Sequence, residues 1–502
     1  MSSNSSLGQI VERVTDTDPD RVAIVIDGTP TTYGELQVAI GDCAAALRSA
    51  GADSGWRIPL VDETSLVSVA TLIGATHTGA ATALMNPRLT ADELRILRQV
   101  ADAGPIGVAG TAFARTLRRA GQEMVLGAEE LLGAGGRQSG PIREADPGEA
   151  AVVLFTSGTT GTPKAVPLPH SMVASRIAAY SPTVDPAPAV ALMCVPFVHI
   201  GGMLGLVVAL AKGSTTVAQT RFDAGEWLAL VERHRVNTSF VVPTMLHRIL
   251  DHPDFSTTDL SSLTALTYGA APASPELIRR AMEALPGVAL ANTFGQTETM
   301  GSITLLGPGN HSAKRLTSVG RPLPGIEVRI VDPTTLETVP TGAVGELWVK
   351  SENTVIPESQ SGDPSIPAGW FRTGDMVSAD EDGYLYPSGR LADTINRGGE
   401  KFSPSEVEAV VGTHPAVRDV AVVGVPDAEM GSRVGAAAVV REPLTTGQLR
   451  EFCKGRIATF KIPEQLVTVD EIPYNDFGKV DRKVLRSWLE AAVGPRAEGE
   501  GD

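Results

Sequence analysis

The strongest constraint in this chain is an uninterrupted apolar run, Ala150 to Phe155, that ends directly in Thr156, Ser157, Gly158, Thr159, Thr160, Gly161, Thr162, Pro163 and Lys164. A short apolar run bounded by a turn signal reads as a strand covered on both faces, the kind found in sheets layered with helices. Its hydroxyl- and glycine-rich continuation then emerges at the carboxyl end of the strand, where open α/β sheets bind ligands. Glycine lets backbone N–H groups approach an oligophosphate, threonine and serine add donors, and one lysine adds a compact charge. The spacing is not that of a Walker A loop, because Pro163 rather than glycine precedes the lysine. A solvated Gly/Thr linker is the ordinary reading of such composition. Lysine usage weighs against it: the chain has nine lysines against thirty-three arginines, and Lys164 is the first of the nine. In an arginine-biased chain, a lysine here points to a requirement for a point charge.

At 502 residues the chain exceeds one core, and 42% hydrophobic with 20% charged residues excludes disorder for most of it. A net charge of −16 argues against nucleic-acid or anionic-membrane binding, so an anionic ligand needs a local cationic site. Cys43, Cys194 and Cys453 are far apart and odd in number, which gives neither a disulfide framework nor a metal cluster and fits a reducing cytoplasm. The first residues lack a basic region followed by an apolar one, and no apolar run reaches membrane-spanning length. The apolar stretch after Gly201 reads as a buried helix.

Strand-like segments at Val22–Ile26, Thr215–Ala218, Ser239–Val242 and Ala265–Tyr268 alternate with helical stretches, which favours βαβ layering. After Val319 shorter strands and Gly/Pro turns, Ile326–Val331 and Gly345–Lys350, suggest a small β-barrel-like subdomain. Ser351 to Ala368 reads as a loop. A compact α+β unit begins near Leu391 and ends near Leu489, and the Gly/Glu-rich tail is expected to be disordered. The expected division is therefore 1–390, 391–489 and 490–502, in an α/β fold.

Further segments stand out. Asn292, Thr293, Phe294, Gly295, Gln296, Thr297 and Glu298 follow an apolar run and read as a turn feeding a helix. Tyr268, Gly269, Ala270, Ala271 and Pro272 form a strand-to-helix turn of small residues. Trp370 to Asp375 contains Thr-Gly-Asp, with Gly389 and Arg390 fifteen residues beyond the aspartate. His199 lies in the apolar segment Val195–Gly202, where a lone histidine is ordinarily a satisfied core residue. Gly398 and Gly399 interrupt the polar run Asn396–Glu408, and Lys479 follows Gly478 in the segment Ile472–Arg482.

In family order, these motifs resemble those of the adenylate-forming superfamily, in its acyl-CoA synthetase or carboxylic acid:CoA ligase branch. The resemblance covers residues 18–488. It implies a large N-terminal domain of two α/β subdomains plus a small β-barrel, and a small mobile α+β C-terminal lid. It further implies ATP (bound through to AMP), Mg²⁺ and coenzyme A as ligands and a small carboxylic acid as substrate. Thr156 to Thr160 with Lys164 would cradle phosphates. Gly269 to Pro272 and Asn292 to Gly295 would surround the nucleotide, with Thr297 on the α-phosphate and Glu298 on Mg²⁺. Asp375 and Arg390 would take the ribose, His199 would gate the acid, and Lys479 would stabilise the adenylating transition state. Gly398 and Gly399 would flank the pantetheine arm.

Residues Val195–Gly202 lack the aspartate that amino-acid-activating relatives place there, which disfavours an α-amino acid. Three positions depart from the pattern. Ala392 replaces the usual hinge Asp or Lys, Pro387 replaces an aromatic or branched residue, and Lys350–Thr354 replaces the usual Gly-Pro and Gly-Tyr pair, a change expected to unsettle that loop more than the active site. Rival readings within the fold are an enzyme specialised for the thioester step and a ligase that loads a separate carrier protein. From other classes come a luciferase-like monooxygenase and a non-catalytic nucleotide-binding regulator.

Overall fold

The computed structural model describes residues 7–132, 146–157, 163–180, 189–357, 359–427, 430–474 and 480–492. The chain divides into two units, residues 1–327 with 349–371, and residues 328–348 with 372–502.

In the first unit the apolar runs become two sheets. One has the strand order Met124–Leu126, Ile106–Ala109, Arg57–Val61, Ala81–Met85, Ala150–Ser157, Pro163–Pro169. Ala151, Val152, Val153 and Leu154 are each at most 1% exposed, as a strand covered on both faces requires. This strand pairs parallel with Ala81–Met85 and antiparallel with Pro163–Pro169, so the Gly/Thr-rich segment connects two hydrogen-bonded strands. The other sheet has nine strands, and six of them run parallel in the order Val22–Ile26, Thr215–Ala218, Val190–Met193, Thr238–Val241, Ala265–Gly269, Ala289–Gln296. Two of these match the sequence expectation to the residue, and the strands expected at 239–242 and 265–268 are displaced by one residue or extended by one.

Helices Tyr33–Ser49, Leu66–Thr76, His170–Tyr180 and Ile200–Lys212 share one core with both sheets. Ile24 and Met193 enter it from the larger sheet, Leu60 and Val152 from the smaller, and Ile40, Ile73 and Met203 from the helices. The last of these helices is the buried apolar one that the sequence indicated. Tyr33–Ser49 starts at a capping box, with Thr32 accepting from the Glu35 amide and Glu35 accepting from the Thr32 amide.

The second unit contains a three-stranded sheet, Val417–Asp427, Gly431–Val440 and Gln465–Thr468. Its side chains alternate between two cores. Val422, Val434, Ala436 and Ala438 pack with Val407 and Leu449 of helices Pro404–Val411 and Thr446–Cys453. Ala421, Val423, Val425, Ala437 and Val439 pack with Leu485 and Leu489 of helix Arg482–Ala492. That helix carries ordered chain three residues past Leu489, and residues 493–502 lie outside the described residues. Where the sequence suggested a barrel, a four-stranded sheet forms in the order Glu327–Val331, Gly345–Lys350, Phe371–Ala379, Leu385–Arg390. Among the described residues, no helix is long and apolar enough to cross a membrane.

His77, at the carboxyl end of helix Leu66–Thr76, is 2% exposed, and neither ring nitrogen has a hydrogen-bond partner. Burial, with the Arg48 guanidinium nearby, pushes its pKa down to about 4. The folded state thus holds the ring neutral while the unfolded chain takes up a proton below about pH 6.5. Above that pH the group adds no pH dependence. As pH falls from 6.5 to 4, stability drops by up to about 3 kcal/mol from this residue. Urea denaturation of wild type and His77→Leu at pH 7 and pH 5 checks this: the wild type should lose more stability than the variant over that interval.

Candidate active site

The two sheets of the first unit meet where strand Ala150–Ser157 reaches the turn at Glu298. Thr156 and Lys164 are cross-strand partners at the end of the hairpin, both half-buried. The Thr156 hydroxyl donates to Glu298 Oε1 at 3.3 Å, joining positions 142 residues apart and two different sheets. Gly158, Thr159 and Thr160 lie outside the described residues, and Ser157 is described through its backbone pairing with Pro163.

Glu298 sits on a single 3₁₀ turn, Thr297–Thr299, rather than at the start of a longer helix. The turn reverses the chain from strand Ala289–Gln296 into its antiparallel partner Gly301–Leu306. Space inside the reversal is minimal. A Cβ on Gly295 would stand 1.9 Å from the Gly301 carbonyl oxygen, so only glycine fits there. The turn is also tied from outside: the Val355 amide donates to the Glu298 carbonyl at 2.7 Å, and Arg176 Nη2 donates to the Thr299 carbonyl at 2.8 Å. Sequence reasoning found neither contact. It placed the consequences of the unusual 350–354 segment away from the active site, whereas Val355, which follows it directly, holds the backbone of Glu298.

Gly269 ends the neighbouring parallel strand beside Thr293, and a Cβ on it would stand 2.2 Å from the Thr293 carbonyl oxygen. Ala270 then takes φ +65°, turning the chain so that Ala270 and Pro272 are exposed and Ala271 half-buried. Beneath this edge the Tyr268 hydroxyl lies 3.1 Å from His311 Nε2, and the buried Asn292 amide donates to the Ser318 carbonyl. Asn292 is therefore held by structure, while Thr293, Phe294 and Thr297 are half-buried at the strand's carboxyl end. His199 is the residue before helix Ile200–Lys212, half-buried, with its carbonyl accepting from the Met203 amide. Apolar side chains line the next turn: Gly201 faces the Phe240 ring and Val195.

In the second unit Asp375 and Arg390 are cross-strand partners, and Arg390 Nε lies 2.9 Å from the Asp375 carboxylate. Their fifteen-residue separation in sequence is thus a hairpin register. Asp375 is 6% exposed. Arg372 of the same motif pairs elsewhere, 2.7 Å from Glu346, a 2%-exposed carboxylate that also accepts from the Trp348 indole. Gly398 and Gly399 form the two-residue tip of the hairpin Ile395–Arg397 and Glu400–Phe402, with φ of +58° and +92°. Positive φ at both central residues is what a tight hairpin needs, so the glycines have a local structural reason. Nothing stands within 4 Å of a Cβ built on Gly399. Lys479 lies outside the described residues. Its flanks are pinned by a Tyr474–Val480 bridge and a hydrogen bond from the Tyr474 hydroxyl to Asp419 at 2.8 Å.

Among the described residues, no cluster of three or more metal-ligating side chains exists. A cation at Glu298 would take most ligands from phosphate and water, which suits Mg²⁺.

Comparison with known proteins finds relatives over nearly the whole chain. The AMP-binding enzyme family matches residues 11–356, and the AMP-binding enzyme C-terminal domain matches residues 406–479. Feruloyl-CoA synthase from an Amycolatopsis species is 31% identical over 96% of this chain and 99% of its own. The amide bond synthetase McbA from Marinactinospora thermotolerans superposes with a TM-score of 0.86 at 31% identity, covering 96% of this chain and 99% of its own. The o-succinylbenzoate CoA synthetase MenE from Bacillus subtilis, solved with its acyl-adenylate intermediate, gives a TM-score of 0.84 at 26% identity, covering 95% and 97%.

Two glycine substitutions separate steric need from sequence habit. Gly295→Ala should destabilise by about 1–3 kcal/mol, since the hairpin must open to admit the methyl group. Gly205→Ala, on an exposed mid-helix position with nothing within 4 Å of the new carbon, should stabilise by about 0.5–1 kcal/mol. Urea denaturation midpoints of the two variants check both signs.

Proposed function

The chain belongs to the AMP-binding enzyme family, and we propose that it is a carboxylic acid:CoA ligase that activates its acid as an acyl-adenylate. The observation that carries this reading is the hydrogen bond from Thr156 to Glu298, which brings the hydroxyl-rich hairpin against a carboxylate-bearing turn. A carboxylate oxygen of the acid attacks the α-phosphorus of ATP, the bond from that phosphorus to the bridging oxygen breaks, and pyrophosphate leaves. The thiol of coenzyme A then attacks the acyl carbon, AMP leaves, and the thiol proton is released. Both steps depend on positioning and charge stabilisation more than on covalent help from the protein.

In this reading Thr156 to Thr160 and Lys164 hold the β- and γ-phosphates, Thr297 the α-phosphate, and Glu298 the Mg²⁺ that screens their charge. Gly269 to Pro272 and Asn292 to Gly295 border the adenine, and Asp375 with Arg390 borders the ribose. His199 closes the acid site, whose neighbours Val195, Gly201 and Phe240 are uncharged, which suits an acid without an ammonium group. A lid beginning near residue 391 carries Lys479 for adenylation and the Gly398–Gly399 hairpin for thioester formation. A cytoplasmic location suits the three buried, unpaired cysteines.

Transfer of the acyl group to an amine is a second reading, favoured by the likeness to an amide bond synthetase over nearly the whole chain. A panel of acids with MgATP and either coenzyme A or simple amines, followed by mass spectrometry for AMP, thioester and amide, tests both. Thioester should form, and amide without thioester would replace the first reading with the second.

Lys479→Ala should lower acyl-AMP formation by about 10²–10³-fold, the loss typical of one preorganised donor to a transition state. Thioester formation from synthetic acyl-AMP should be spared. Pyrophosphate release and single-turnover thioester assays report the two rates separately, and an equal fall in both would remove the assignment.

A further inference from the structure

Arg176 is a cation in an unusual place. It stands on helix His170–Tyr180, in the layer between the two sheets, and is 4% exposed. Its Nη2 donates to the carbonyl of Thr299, one residue beyond Glu298. The neighbouring Ser175 hydroxyl accepts from the Asn353 amide at 3.2 Å, and two residues later the Val355 amide donates to the Glu298 carbonyl. These three contacts close a ring: helix to Asn353, Val355 to Glu298, Thr299 back to Arg176. The backbone carbonyls of Glu298 and Thr299 are both held from outside their own turn.

The turn that Arg176 grips carries the carboxylate assigned to Mg²⁺, beside the hairpin assigned to phosphates. The geometry points to Arg176 as a positioning residue for Glu298, holding the backbone of its turn so that the carboxylate is set to receive the divalent cation of MgATP. This inference rests on the ligase reading above and adds a residue to it.

The test is calorimetric binding of MgATP, without acid, to wild type, Arg176→Met, Arg176→Lys and Asn353→Ala, beside a Mg²⁺ titration of pyrophosphate release. Arg176→Met should weaken MgATP binding and raise the Mg²⁺ midpoint by about tenfold or more, as loss of a residue supporting a metal ligand does. Arg176→Lys keeps the charge and loses the planar fork, so it should fall between Met and wild type. Asn353→Ala, which opens the ring at its more exposed edge, should shift the same two quantities by a smaller factor. If Arg176→Met does not fold, Arg176→Lys and Asn353→Ala carry the test. Folded variants with wild-type MgATP affinity and Mg²⁺ midpoint would overturn the inference, as would a uniform fall in kcat with both unchanged, the signature of a brace for the fold alone. A wild-type protein that binds no MgATP would instead remove the ligase reading, and the role of Arg176 with it.

Discussion

Two sheets can share one site only if something fixes the gap between them, and here that is the helical layer Tyr33–Ser49, Leu66–Thr76, His170–Tyr180 and Ile200–Lys212. Ile40, Leu47, Leu72, Ile73, Met203 and Leu206 are each at most 1% exposed within it. Each such side chain contributes about 1.5–3 kcal/mol relative to exposure. The packing is close enough that a Cβ on Gly74 would stand 2.9 Å from the Ile40 carbonyl oxygen. Because the layer is dense, its thickness is not adjustable, and the hairpin of one sheet meets the turn of the other at hydrogen-bonding distance. The same layer delivers Arg176 to that turn and sets His199 at the head of its last helix.

Charge is handled in a way that follows from the composition. With a net charge of −16 the protein as a whole repels phosphate. At physiological ionic strength such fields fade over about 8 Å, so recognition must come from groups in contact with the ligand. Three arginines are accordingly held by partners within their own units: Arg176 bonds a backbone carbonyl, Arg390 pairs with Asp375 and Arg372 with Glu346. Pre-oriented charges lose little freedom on binding, which is the property an electrostatic catalyst needs.

Much of this was legible because it depends on local chemistry. The run Ala150–Phe155 had to be a buried strand, and the small residues at 268–272 had to end one, because apolar period and residue size say so without reference to distant chain; the segment 292–298, read as a turn feeding a helix, instead stays in its strand to Gln296 and then makes a single 3₁₀ turn. What stayed hidden depends on pairing across sequence. The contact of Arg176 with Thr299 spans 123 residues, and no periodicity in helix His170–Tyr180 separates a buried arginine from a solvated one. The 350–354 segment could be seen to differ from its family, but its continuation at Val355 contacts Glu298 only in three dimensions. Gly398 and Gly399 were legible as a place needing bare backbone, although the hairpin itself supplies a sufficient reason.

The remaining departures from the family pattern find local compensation. Ala392 lies exposed in a 3₁₀ turn, and the polar partner missing there is supplied one residue later. Asp393 lies 3.5 Å from Arg482, which also bonds Glu408 at 3.2 Å, so the turn is tied to two helices through one guanidinium. Pro387 lies where the pairing between strands Phe371–Ala379 and Leu385–Arg390 shifts register, so a residue lacking an N–H sits next to a bulge, where proline is tolerated in sheets. The bulge lies between Pro387 and Gly389, and directly after it Arg390 reaches Asp375 across the hairpin. Pro387 thus sits on the other side of that register shift from the Asp375–Arg390 pair. Each departure has a local account: a neighbouring carboxylate for Ala392 and a register shift for Pro387.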